Sequence, residues 1–94
     1  MKSGLIVLLA AGSAATAGLA HATTELADKL GCTNCHAIDA RKVGPSLKAI
    51  AAKYRGNSGA ERVIVEALAT GKGHPKVNAP EADIAAVTRW VLAQ

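Results

Sequence analysis

The stretch GCTNCHAID, Gly31–Asp39, holds both cysteines of this 94-residue chain, and a histidine, His36, directly follows the second. A C-x-x-C pair serves three chemistries: half of a zinc site, a redox-active dithiol, or the covalent attachment of haem when a histidine follows. Each demands different things of the residues around it.

Before the stretch lies MKSGLIVLLAAGSAATAGLAHA, residues 1–22. Lys2 is followed by an apolar run, Leu5–Ala11, then by small residues ending in Ala20-His21-Ala22. That layout predicts a secretory signal peptide cleaved after about Ala22. The competing reading, an uncleaved anchor, needs about 20 apolar residues, and the strongly apolar run is much shorter. The mature chain, residues 23–94, is then one exported domain, expected in a bacterial periplasm with no stable membrane anchor. Of the eleven Lys/Arg only Lys2 precedes Thr23, so ten face seven Asp/Glu, a net charge near +3. A mildly basic surface suits acidic protein partners. With no basic run, and Tyr54 and Trp90 as the only aromatics, it does not suit nucleic acid.

Helix patterns cover the mature chain and no strand pattern does. The first is expected at about Thr24–Leu30, stopped by Gly31. In the second, Leu47, Ile50, Ala51 and Tyr54 fall at i, i+3, i+4 and i+7, and Gly56 ends it. The third opens on Ser58 with Glu61 three residues later, a capping box, and Gly71 closes it. The fourth begins near Pro80, with Ile84, Val87 and Val91 as its stripe and Trp90 beside it. The chain has no Phe and its apolar residues are largely Ala. A domain of this size buries little surface and needs a staple.

Zinc fits poorly, because His36 abuts Cys35 and His74 has no partner at ligand spacing. A thiol–disulfide oxidoreductase needs a βαβ sheet, which the chain lacks. Haem attachment accounts for all the residues. Two intervening positions put Cys32 and Cys35 on one side of a helical turn, and His36 follows as proximal iron ligand. One covalent haem c supplies the missing apolar centre.

With these residues in view, the chain resembles the small class I bacterial cytochromes c over Thr24–Gln94: GCTNCHAIDARKVGPSLKAIAAKYRG, SGAERVIVEALATGKG and ADIAAVTRWVLAQ. The resemblance implies an all-α fold of about four short helices wrapped around one haem. It makes Cys32 and Cys35 the thioether residues and His36 the proximal ligand. The Pro45 carbonyl would accept a hydrogen bond from His36, and Leu47, Ile50, Tyr54 and Trp90 would line or support the pocket. The first and last helices would cross through Leu26, Ala27, Val87 and Trp90.

The chain departs from that family in one decisive place. Its only methionine is Met1, so the usual distal Met is missing. His74-Pro75 stands where the family has Met-Pro, sixteen residues before Trp90. His74 is therefore the expected distal ligand, giving bis-histidine iron and a low reduction potential. The loop before it lacks the family's GVWG-type segment, leaving Tyr54, Arg55 or Lys72 as candidates for haem-propionate contacts. The expected function is single-electron transfer between redox partners, not enzymatic catalysis. Lys42, Lys48, Lys53, Lys72 and Lys76 are candidates for docking acidic patches. The alternative is a haem-based binder or sensor of NO or CO with a labile or open distal site.

Overall fold

The computed structural model describes Gly4 and residues 17–94, with side chains from Thr23 onward; most of the expected leader, residues 1–22, lies outside them. The order is α1 (Ala17–Lys29), a 3-10 turn (Cys32–Asn34), α2 (Leu47–Lys53), α3 (Ala60–Thr70) and α4 (Glu81–Leu92), with no strand among the described residues. The architecture is all-α with four helices, as the periodicity predicts.

Local chemistry sets most of the boundaries. Gly31 and Gly71 adopt positive φ, 82° and 80°, and stop α1 and α3; only glycine enters that region without steric cost. Ser46 caps α2, its hydroxyl accepting from the Ala49 N–H at 3.1 Å. α1 begins earlier than the expected Thr24, at Ala17.

The capping box expected at Ser58 and Glu61 is not formed. Asn57 Oδ1 accepts the Gly59 N–H at 2.9 Å, an Asx turn that moves the helix start to Ala60. Glu61 turns away and accepts a hydrogen bond from Arg89 of α4, Nη1 to Oε1 2.8 Å. A partner 28 residues away in sequence thus outcompetes the local cap.

α4 is the central element and packs against α1, α2 and α3. Its Ile84, Val87 and Thr88 are buried, with Ala27 from α1, Leu47 and Ala51 from α2, and Ala60 from α3. The buried Thr88 hydroxyl donates to the Ile84 carbonyl at 2.7 Å, so it costs little. α2 and α3 do not pack on one another; each turns an apolar face towards the space between them.

Truncating Ile84 to Ala is expected to destabilise the haem-loaded protein by about 2–5 kcal/mol. Arg89→Ala, which removes a solvent-exposed ion pair, should cost no more than about 1 kcal/mol. Guanidinium unfolding of both variants beside the parent checks the ranking, and equal losses would refute it.

Candidate functional site

The cysteines are placed by the short turn after Gly31. The Cys35 and His36 N–H groups both reach the Cys32 carbonyl, at 3.2 and 3.0 Å. A 3-10 turn has about three residues per turn, so positions i and i+3 share a side. Cys32 and Cys35 are half-buried free thiols. Burial pushes the Cys32 thiol above its ordinary range, a backbone hydrogen bond opposes this, and nearby Asp28 adds to it. Cys32 therefore stays protonated in the bare chain, since burial disfavours the thiolate.

The segment after His36 folds back over it. Gly44 N–H donates to the Cys35 carbonyl at 2.8 Å, and Leu47 N–H to the Ala37 carbonyl at 2.9 Å. The His36 ring lies directly on Gly44: a Cβ there would sit 2.5 Å from Cε1. The ring's other restraint is Nδ1, 2.7 Å from the Pro45 carbonyl. A carbonyl only accepts, so Nδ1 carries the proton and Nε2 keeps its lone pair.

His74 repeats this arrangement from the other side. It stands in the loop between α3 and α4, which is held by the Val77 N–H to Leu68 carbonyl bond at 2.8 Å. Its Nδ1 is 2.7 Å from the Pro75 carbonyl, so Nε2 is again the nitrogen with a free lone pair. The two imidazole planes lie within 5° of parallel, with centroids 6.2 Å apart.

Two cavities flank this pair, and Cys32, His36, Pro45 and His74 line both. The rear one, about 350 Å³, is walled by α2, α3 and α4. The front one, about 340 Å³, is bounded by Leu30–Cys32, Cys35, Val43–Pro45 and Pro75–Val77. Both walls are mainly apolar, and each volume suits part of a flat ligand, within the roughly 300–1,000 Å³ of ordinary sites.

Of the pocket residues expected from sequence, Pro45, Leu47, Ile50 and Tyr54 do line the rear cavity. Trp90 does not. Val87, Thr88 and Val91 are the α4 residues that face it, and Trp90 is about 100° further round the helix at 3.6 residues per turn. Sequence reasoning also passed over Val63, Ile64, Ala67 and Leu68 of α3 as pocket residues. Their i, i+1, i+4, i+5 spacing marked an apolar face but not what that face would meet. The Pro75 carbonyl was missed too, although a proline follows His74 as Pro45 follows Gly44.

The Cytochrome c family matches residues 20–94. The chain belongs to the cytochrome c family. It is 43% identical over 75 residues to cytochrome c-551 of Allochromatium vinosum, covering 71% of this chain and 80% of that one. It is 34% identical to cytochrome c-552 of Nitrosomonas europaea over 98% of this chain and 97% of the other. In structure it is similar to the class 1 cytochrome MtoD from Sideroxydans lithotrophicus ES-1, at TM-score 0.71 and 30% identity, covering 78% of this chain and 92% of that one.

Small cytochromes c carry electrons, and their cofactor is covalently bound haem c with its iron. The residues present here fit that group. Two thiols carried on one turn and a histidine ring held against Gly44 line the same apolar cleft, and that ring keeps the lone pair of Nε2.

Gly44→Ala is expected to force the His36 ring off the Pro45 carbonyl, because the new methyl occupies the ring's place. The Nδ1–H resonance of His36 should lose its protection from solvent exchange and the melting temperature should fall. A variant with an unchanged resonance would show that the ring does not depend on the missing Cβ.

Proposed function

We propose that the chain is an exported, periplasmic monohaem cytochrome c that passes single electrons between redox proteins and is not itself an enzyme. In this reading residues 1–22 are a signal peptide removed after about Ala22. Cys32 and Cys35 form the thioethers, and His36 and His74 ligate the iron from opposite faces.

The observation that carries this reading is the pairing of the two imidazoles. A histidine nitrogen binds a metal at about 2.0–2.1 Å, so two imidazoles on opposite sides of one ion have centroids about 6 Å apart. The rings here are parallel at 6.2 Å, and each gives its Nδ1–H to a proline carbonyl. Such outer hydrogen bonds fix the ring and raise its basicity. Two basic imidazoles favour ferric iron over what a thioether ligand gives, so the potential lies below that of His/Met relatives. With His36 and His74 both on the iron, no position would be left for a substrate, and the haem would exchange single electrons with its partners.

Docking falls to the exposed cations near the cleft. Lys42 is tied to the Thr33 carbonyl at 3.1 Å and Lys48 to Asp39 at 2.6 Å. Lys72 and Lys76, exposed on the His74 loop, are the lysines we assign to an acidic partner surface. Val43, 78% exposed on the rim of the front cavity, offers it an apolar contact.

Low-temperature EPR of the ferric holoprotein tests the ligation. Parallel imidazoles interact with the same iron d orbital and lift its degeneracy with its partner, so a rhombic low-spin spectrum is expected. His74→Ala should turn the iron high-spin, and His74→Met should raise the midpoint potential. A high-spin wild type that binds CO rapidly when reduced would overturn this reading in favour of a ligand-binding protein.

A further inference from the structure

We infer that Lys53 and Tyr54, at the C-terminal end of α2, hold the carboxylates of the haem, with Lys53 as their counter-charge. This rests on the proposed placement of the haem between His36 and His74, joined to Cys32 and Cys35.

Haem is an asymmetric ligand. The vinyl groups that become thioethers lie on one edge, and the two propionates lie on the opposite edge. Cys35 borders only the front cavity, so the propionate edge is turned towards the rear one. That cavity offers little to receive negative charge. α3 and α4 present no ionisable side chain to it, and the Thr88 hydroxyl already donates to the Ile84 carbonyl. The titratable groups facing it are Cys32, His36, His74, Lys53 and Tyr54. Lys53 is the one lysine or arginine among them.

A carboxylate left unpaired against an apolar wall is costly, which makes a cation at the rim valuable. Lys53 Nζ stands 5.5 Å from the centre of the Tyr54 ring, a cation–π arrangement that holds the ammonium near the cavity mouth. Tyr54 is half-buried there, and its phenol supplies a hydrogen-bond donor. Arg55 and Lys72, the other candidates from sequence, border neither cavity.

The test reads the propionates through the iron. Reduction adds one electron to the haem and raises the proton affinity of a nearby carboxylate, so the midpoint potential varies with pH around that carboxylate's pKa. A neighbouring cation lowers that pKa. In the haem-loaded protein, Lys53→Gln is therefore expected to move the pH-dependent region of the potential upward from its wild-type position. Lys53→Arg should keep the wild-type profile, Tyr54→Phe should shift it in the same direction but less, and Lys72→Gln should leave it unchanged. Spectroelectrochemical titration of each variant gives the profiles. A Lys53→Gln curve parallel to wild type at every pH, or the same upward shift in Lys72→Gln, would overturn the assignment. EPR of the same samples keeps the two questions apart: it reports the axial ligands, whereas the pH profile reports Lys53 whichever ligand His74 proves to be.

Discussion

α2 and α3 face one another across a cleft without touching, and the rest of the structure is arranged around that gap. α4 packs on both, and on α1, so the three contacts hold a frame open instead of closing a core. Short helices built largely from Ala cannot fill such a space, and a domain of this size gains too little from burial to leave it empty. Haem c resolves both problems at once. It would give α2 and α3 an apolar body to pack against, and thioether links to Cys32 and Cys35 would make it part of the chain.

The two histidines reach that cleft from unlike backbones yet are held alike. His36 is delivered by a 3-10 turn and pressed against Gly44, while His74 sits in the open loop between α3 and α4. In each case a proline carbonyl takes the Nδ1 proton and leaves Nε2 its lone pair, in a ring that lines the cleft. Both acceptors belong to prolines, whose rings fix φ and remove a competing N–H. A loop that is otherwise polar and glycine-containing can thereby present a ring in a defined plane.

Much of this was legible along the chain. C-x-x-C-H fixed the chemistry, because only haem attachment uses two thiols and an adjacent histidine in one turn. The helices at Leu47 and Ile84 announced themselves by apolar spacing, and Gly31 and Gly71 marked where α1 and α3 stop. Local rules failed where a distant group intervened. Glu61 would complete a cap with Ser58, but Arg89 of α4 offers it an ion pair. Trp90, which the resemblance set at the pocket, lies outside the α4 face of Val87, Thr88 and Val91 that lines the cavity.

By itself, then, the sequence determined the cofactor and the all-helical class, and it set a second histidine, His74, where relatives carry a methionine, because these depend on residue identity and near spacing. Only the tertiary structure decided that the two rings are parallel and 6.2 Å apart, that α3 supplies a wall of the pocket, and that Lys53 is the lysine at its rim. Those facts follow from how α2, α3 and the His74 loop meet around α4. Such distances are set by packing between segments remote in the chain, and no local pattern encodes them.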